Sequence, residues 1–239
     1  MSEIRPHRPS PPRVIIIGGG LAGLAAASTL VDRGLSISLY ESRPRLGGRA
    51  SSFQDPITGE SVDNCQHVSM VCCTNLADFC RRVGIDSLFR QEPSLTFLSP
   101  DGRVSRMSPG ILPAPFHLTE SFLTARYLNW KDKLQVAYGL ACLAMRRDAK
   151  PGEPMAEWLL RHRQGIRAIN LFWSPVLASA LNERLERMDV GYARKVFVDG
   201  FLKTKNGFRI EIPLVPLGEL YGQRLDVWLR QHQVNIYVK

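Results

Sequence analysis

A glycine-rich turn at residues 18–23, with the sequence GGGLAG, constrains the fold of this chain more than any other segment. It fits the pattern G-x-G-x-x-G and joins a β-branched run at residues 14–17 to an Ala- and Leu-rich stretch at residues 21–33. Gly34 follows that stretch, and residues 35–40 then alternate as a strand does. This order predicts two parallel strands with a helix packed across them, and it predicts that the first strand is buried on both faces.

In a nucleotide-binding fold, glycine is required at each of three positions of the turn for a different physical reason. Gly18 permits the tight turn, Gly20 lets a pyrophosphate approach the backbone, and Gly23 lets the helix pack closely on the strand. Free N–H groups at the start of the helix and the helix dipole favour phosphate. Glu41, at the end of the second strand, is placed to accept hydrogen bonds from an adenosine ribose, and it disfavours a 2′-phosphate. The residues of the turn predicted to bind a dinucleotide are Gly18, Gly19, Gly20, Leu21, Ala22 and Gly23.

The turn alone does not distinguish NAD from FAD, because the two cofactors share the adenylate half that it would bind. Residues 45–52, RLGGRASS, resemble the R-x-G-G-R-x-x-S/T element of the flavin-containing amine oxidase and phytoene desaturase superfamily. This resemblance implies FAD as the cofactor. A glycine pair lets backbone N–H groups reach a cofactor, and an arginine offers bidentate hydrogen bonds to phosphate. The residues of this element expected to contact FAD are Arg45, Gly47, Gly48 and Arg49.

Further segments resemble hydroxysqualene dehydroxylase, the squalene-associated FAD-dependent desaturase of bacterial hopanoid biosynthesis. The resemblance implies a long-chain isoprenoid substrate and the reduction of hydroxysqualene to squalene and water, with hydride from flavin N5. It also implies that the C-terminal part of the family fold is missing from this chain, since family members continue beyond the strand predicted at residues 234–238. The segments that carry the resemblance are residues 63–67, 72–76, 172–177, 179–183, 195–197 and 212–217.

The segment DNCQH at residues 63–67 both supports and departs from that family pattern. The resemblance places Gln66 and His67 near the flavin, and His67 is the titratable residue that is proposed there as a proton donor. Cys65 and Val71 stand where the family pattern has glycine. A side chain at either position is expected to cost stability if the backbone there needs a positive φ.

Two other functions remain open at this point. A carotenoid (phytoene)-type desaturase would use the flavin in the oxidising direction on a similar polyene. A catalytically incomplete FAD-binding fragment would retain the nucleotide turn without being an active enzyme.

The order of the predicted elements favours an α/β fold, in which a Rossmann-like FAD-binding βαβ domain carries an inserted, mainly helical substrate domain. We expect the FAD-binding domain at residues 14–108 and 210–239, the helical domain at residues 109–209, and a disordered basic arm at residues 1–13. Hairpins are predicted at residues 50–63 and 95–107, and a helix capped by Thr74 is predicted to end before Gly84. Further helices are predicted at residues 119–128, 131–147, 155–162, 166–172, 176–181, 189–201 and 217–232.

The basic charge of the chain limits its partners. Lys and Arg number 31 against 22 Asp and Glu, a net charge of +9, but these residues are scattered and no nucleic-acid module is present, so nucleic acid is not expected as a partner.

The five cysteines form no C-x-x-C pair, which predicts neither a metal site nor a disulfide framework and favours the cytoplasm. The apolar run at residues 134–145 is too short to span a bilayer, and its basic flanks favour peripheral contact with the inner face of a membrane.

Overall fold

In the computed structural model, the described residues are 12–65, 67–99, 101–145 and 152–239. The chain divides into two compact units. Most of the arm expected at residues 1–13 lies outside the described residues, whereas Arg13 already begins the first strand. Unit 1 comprises Met1–Ser69, Cys73–Arg90 and Glu211–Lys239, and unit 2 comprises Met70–Cys72 and Gln91–Ile210.

A parallel three-stranded sheet forms the centre of unit 1. The strand β2 (Ser36–Glu41) lies between β1 (Arg13–Ile17) and β10 (Asn235–Val238) and pairs in parallel with both. The helix α1 (Leu21–Val31) connects β1 to β2, which confirms the predicted strand-helix-strand unit. After the helix, Gly34 adopts a φ of +69°, a conformation that favours glycine.

The prediction that β1 is buried on both faces is wrong. Ile15 is 61% exposed and Ile17 is 89% exposed, whereas Ile16 packs against the hydrophobic core. Successive side chains of a strand point to opposite faces, so one face of β1 packs against the core and the other is open to solvent. Helices α1 and α9 (Arg224–Gln231) contribute buried side chains to that core. The described residues therefore cover one face of a parallel sheet that is ordinarily covered on both.

The rest of unit 1 follows the sequence closely. The predicted hairpin forms from β3 (Ser52–Gln54) and β4 (Ser61–Asp63), and α2 (Thr74–Arg82) ends two residues before Gly84. Thr74 is not the cap of α2 as predicted, because the backbone turns into the helix one residue earlier and Cys73 occupies the N-cap position. A π-helical segment, Gly218–Gln223, runs directly into α9.

Three short strands occur where the chain passes between the two units, and the sequence pattern did not predict them. Each has four residues or fewer, and none belongs to a hairpin whose turn residues would mark it in the sequence. They are β5 (Ser69–Met70), β6 (Phe89–Glu92) and β9 (Ile210–Pro213).

The longer segment of unit 2 runs from Gln91 to Ile210, and the domain bound expected at residue 109 stays a prediction. The hairpin of β7 (Leu95–Leu98) and β8 (Val104–Met107) belongs to this segment, because Met107 packs with Leu118 and Phe208 in a small core. The assignment of unit 1 to FAD binding and unit 2 to substrate binding stays a prediction.

Helices make up the remainder of unit 2, around a core in which Trp158, Trp173, Leu177 and Phe197 are fully buried. The helices predicted at residues 166–172 and 176–181 form one continuous run, in which a wider π-helical turn precedes Pro175. Of the helices within the described residues, none is long and apolar enough to cross a bilayer. The helices are α3 (Thr119–Thr124), α4 (Trp130–Ala144), α5 (Met155–Arg161), α6 (Ile166–Ala168), π-helical Ile169–Trp173, α7 (Ser174–Leu181), α8 (Val190–Arg194) and π-helical Lys195–Leu202.

Candidate functional site

The glycine turn joins the end of β1 to the start of α1. Gly18 has a φ of +103°, and its N–H donates a hydrogen bond of 2.7 Å to the carbonyl of Tyr40 on β2. A Cβ on Gly23 would lie 1.9 Å from the carbonyl oxygen of Gly18. The turn therefore needs glycine at Gly18 for its backbone conformation and at Gly23 for the close approach of helix and strand.

Glu41 holds the turn from the end of β2. Its Oε2 accepts the N–H of Gly19 at 2.7 Å, and its Oε1 accepts the N–H of Arg43 at 2.9 Å. Partial burial alone would raise the pKa of Glu41, but these backbone hydrogen bonds outweigh it and the pKa lies below its ordinary value. Since a carboxylate offers about four acceptor positions, Glu41 keeps capacity for a further donor such as a ribose hydroxyl.

The structure brings the second predicted element, RLGGR, against the glycine turn. The N–H of Gly47 donates to the carbonyl of Gly19 at 2.8 Å, and Gly20 and Gly47 pair as a short parallel bridge. Gly47 and Gly48 have φ values of +99° and +62°. A Cβ on Gly48 would lie 3.0 Å from the Cα of Gly20. Two segments almost thirty residues apart in sequence therefore form one continuous backbone surface, which leaves no room for a side chain at Gly47 or Gly48.

The N-terminus of α1 opens onto this surface. Gly20 is its N-cap, in an extended conformation, and no side chain of the described residues caps the helix. The first turn contains Leu21 and Ala22, which bring no acidic group. The leading N–H groups of a helix need acceptors from outside it, and phosphate oxygens satisfy them well. The residues of this cradle fit the predicted dinucleotide, whose pyrophosphate would lie at α1 and whose ribose would lie at Glu41.

The two arginines of the RLGGR element are exposed. Arg45 lines a groove of about 810 Å³ in unit 1, together with Ser52, Gln223 and Arg230. The backbone carbonyl of Arg49 accepts a hydrogen bond from the Asn64 side chain at 3.4 Å. Both guanidinium groups are accessible to an anionic ligand, which is what the predicted phosphate contact requires.

Asp63 has a structural role that the sequence pattern did not identify. Its Oδ1 accepts the hydroxyl of Ser52 at 2.7 Å and the N–H of Leu217 at 2.9 Å. The hydroxyl oxygen of Ser52 in turn accepts the N–H of Gly218 at 2.7 Å. These bonds fasten the β3–β4 hairpin to the start of the C-terminal helical segment, which lines the groove beside Arg45. The only sequence signal was the position of Asp63 in the family-like segment DNCQH.

The residues predicted to lie near the flavin are Gln66 and His67. Gln66 is outside the described residues. His67 is half-buried, and its Nε2 lies 3.0 Å from the Sγ of Cys65. Neither Cys65 nor Val71 has a positive φ, so the backbone strain expected from replacing glycine at these positions is absent. Within the described residues, no three His, Cys, Asp or Glu side chains are grouped to hold a metal ion.

Comparison with known proteins gives a family match over most of the chain. Residues 21–199 match the model of the flavin containing amine oxidoreductase family. A probable zeta-carotene desaturase of Synechococcus elongatus is 32% identical over 69% of this chain and 37% of its own length. A 15-cis-phytoene desaturase of an Oncidium hybrid cultivar is 33% identical over 69% of this chain and 29% of its own length. The chain therefore spans about a third of the length of these relatives.

A solved structure supports the fold independently. An oxidoreductase from Methanosarcina mazei superposes with a TM-score of 0.67 at 16% identity, covering 95% of this chain and 51% of that protein. The family match confirms the expected flavin containing amine oxidoreductase family, and the superposition confirms the α/β fold over about half of that solved structure. The narrower resemblance to hydroxysqualene dehydroxylase stays a prediction, because the relatives named above are carotenoid desaturases.

Proposed function

The chain belongs to the flavin containing amine oxidoreductase family, and on that premise we propose that it is part of an FAD-dependent desaturase acting on a long isoprenoid chain. The observation that carries this proposal is its similarity, above 30% identity over 69% of the chain, to desaturases of zeta-carotene and phytoene. Bound FAD supplies the two-electron acceptor for removing hydrogen from such a chain. A carotenoid-type desaturase was one of the functions that the sequence left open, and the similarity to carotenoid desaturases supports it better than hydroxysqualene reduction.

The geometry supports specific roles for the residues of the glycine turn. Leading N–H groups of α1, including those of Leu21 and Ala22, would bind the pyrophosphate, and Glu41 would accept ribose hydroxyls. Gly47 and Gly48 would keep the backbone surface free of side chains, and Arg45 or Arg49 would add charge-assisted hydrogen bonds to phosphate. Gln66 and His67 stay candidates for the flavin end of the site on the family-like motif alone.

FAD binding by the full chain is the first test. Titration of the purified protein with FAD, followed by calorimetry and by the melting temperature, is expected to show saturable binding and a gain in stability. Glu41→Gln should weaken binding about 10- to 100-fold, because a hydrogen bond to a charged acceptor contributes about 1.5–3 kcal/mol. Glu60→Gln, on the exposed β3–β4 turn, is the matched control and should bind FAD normally.

The outcomes of this titration separate the enzyme from the incomplete fragment. A colourless protein whose melting temperature does not respond to FAD would contradict the proposal that this chain binds the cofactor by itself. Equal loss of affinity in the variants of Glu41 and Glu60 would contradict the role of Glu41.

A substrate assay decides the direction of the reaction. The FAD-loaded chain is incubated with zeta-carotene and a quinone acceptor, or with hydroxysqualene and a chemical reductant, and the products are separated by chromatography. A more unsaturated polyene in the first mixture supports the proposal. Squalene formed only in the second would instead establish hydroxysqualene reduction, the candidate that the family-like segments at residues 172–177 and 212–217 favour.

Peripheral contact with a membrane belongs to the same proposal. A long isoprenoid is almost insoluble in water and partitions into lipid, because each buried methylene contributes about 0.8 kcal/mol. An enzyme that takes up such a substrate benefits from lying on the lipid surface.

A further inference from the structure

The outer face of α4 is apolar along its whole length. Its exposed positions recur at intervals of three and four residues, which places them on one side of the helix. The strip begins at the first residue and continues to the C-cap, a length of about 22 Å for this 15-residue helix. The exposed residues of α4 and its C-cap are Trp130, Lys131, Leu134, Ala137, Tyr138, Ala141, Ala144 and Met145.

The inner face of α4 is already packed, so the helix cannot rotate to bury the strip. A Cβ on Gly139 would lie 2.7 Å from the Trp173 ring, which leaves no gap between the helix and the core. The Oε1 of Gln135 accepts the N–H of Gly165 at 3.0 Å. At the start of the helix, Asn129 and its partner three residues later form a capping box, which holds Trp130 at the first position.

Neighbouring segments extend the apolar strip sideways. Lys133 donates a hydrogen bond to the carbonyl of Leu123, and Leu123 is itself 48% exposed. Gln135 of α4 also accepts a hydrogen bond from Gly165, and the next residue, Ile166, has a side chain that is 69% exposed. The outer face of α4 with Leu123 and Ile166 is here called the α4 patch. An exposed apolar helix face of this length marks an interaction site.

The exposed charge on α4 itself is positive, whereas α3, which contributes Leu123 to the patch, also exposes the acidic Glu120. Lys131 is exposed on the helix, and Arg126 is exposed in the preceding segment. The acid of α4, Asp132, is buried, and its carboxylate faces Arg167 at 3.4 Å. The exposed side chains of α4 are therefore apolar or cationic, and none is acidic.

We propose that the α4 patch lies on an anionic lipid bilayer. An apolar helix face bordered by Lys and Arg is typical of helices that lie in the plane of a membrane interface. Trp130 and Tyr138 add the amphipathic rings that are enriched at the level of lipid headgroups. Anionic headgroups complement the cations, and the acyl boundary takes up the apolar strip.

Vesicle binding by the full chain tests the proposal without any catalytic readout. The protein is mixed with phosphatidylcholine vesicles that contain phosphatidylglycerol, and bound protein is measured by sedimentation at low and at high salt. The double variant Leu134→Ser, Tyr138→Ser should lower partitioning about tenfold or more, because two apolar side chains no longer leave water. Ile57→Ser, which removes a 92% exposed apolar side chain in unit 1, should bind as the unchanged chain does.

Brominated lipids locate the contact on the helix. Of the four tryptophans, Trp158 and Trp173 are fully buried and Trp228 is half-buried against the core of unit 1, whereas Trp130 is 65% exposed, so quenching by brominated acyl chains should come mainly from Trp130. Trp130→Phe should abolish most of the quenching and keep vesicle binding. Absence of vesicle binding, equal binding by the double variant and the Ile57 variant, or quenching that survives in Trp130→Phe would each overturn the proposal.

Two further readouts separate this proposal from its rivals. Circular dichroism shows whether the exposed substitutions leave the fold intact. Concentration-dependent dimerisation that is abolished by the double variant, without vesicle binding, would assign the patch to a second copy of the chain and overturn the lipid proposal. FAD titration is independent of the patch, so loss of either result leaves the other standing.

Discussion

Replacing Gly23 by alanine tests the idea that the glycine turn requires direct contact between α1 and β1. In a helix interior, alanine ordinarily stabilises relative to glycine by about 0.5–1 kcal/mol. Here the new Cβ would lie 1.9 Å from the carbonyl oxygen of Gly18, so the helix must move by about 1.1 Å to reach even 3.0 Å. That oxygen belongs to the backbone of a tight turn and cannot rotate away as a side chain would.

Overpacking of this kind costs about 1–3 kcal/mol, which exceeds the gain in helix propensity. We therefore expect Gly23→Ala to lower the free energy of unfolding by about 1–2 kcal/mol and the melting temperature by roughly 2–8 °C. Thermal and urea denaturation followed by circular dichroism measure both quantities. The sign of the change is informative, because propensity alone predicts the opposite result.

The chain offers a matched control for this substitution. A Cβ on Gly222 would meet its nearest neighbour, the carbonyl oxygen of Leu46, at 3.6 Å, an ordinary contact. Gly222→Ala should therefore leave the melting temperature unchanged or raise it slightly. A Gly23→Ala variant that melts at or above the temperature of the original chain would refute the reasoning.

Three further predictions concern unit 2. Burial lowers the pKa of His117 below its ordinary value of 6.5. The contribution of His117 to stability is therefore complete above pH 6.5 and is lost as the pH falls below that value. When the midpoint of urea denaturation is measured as a function of pH, His117→Phe should flatten this part of the curve. Gln164 is buried and accepts the Trp173 Nε1–H at 2.8 Å, so Gln164→Leu should lower the free energy of unfolding by about 2–4 kcal/mol in thermal denaturation. Asn129→Ala breaks the capping box with Asp132 and should cost about 1 kcal/mol, measured by the same method.

Exposed residues of the same types provide the controls for these three variants. They are His232→Phe, Gln231→Leu and Asn206→Ala, each expected to change stability by less than about 0.5 kcal/mol. A pH dependence that survives in His117→Phe would contradict the role of that histidine. Variants of Gln164 or Asn129 that match their controls would contradict the hydrogen-bond argument.

Local sequence determined the elements whose pattern repeats within a few residues. The β-branched run before Gly18, the helix that ends near Gly34 and the turn closed by Gly23 are each encoded by neighbouring residues. Periodicity and glycine conformation act over that range, so the strand-helix-strand unit and the nucleotide turn could be recognised without coordinates. Thr74 shows the limit of such reasoning, because the start of a helix shifts easily by one residue.

Tertiary structure alone decided which distant segments meet and which apolar faces stay exposed. No local pattern joins Gly47 to Gly19 or Asp63 to Leu217, because those hydrogen bonds depend on how the whole chain folds back on itself. The same is true of Ile17, which the sequence predicts to be buried, and of α4, whose apolar run the sequence assigns to membrane contact without showing which side of the helix is exposed. Both segments are rich in apolar residues, and hydrophobicity does not distinguish the side that meets the core from the side that meets solvent or lipid. That choice depends on which neighbours pack against the segment, and only the folded chain supplies those neighbours.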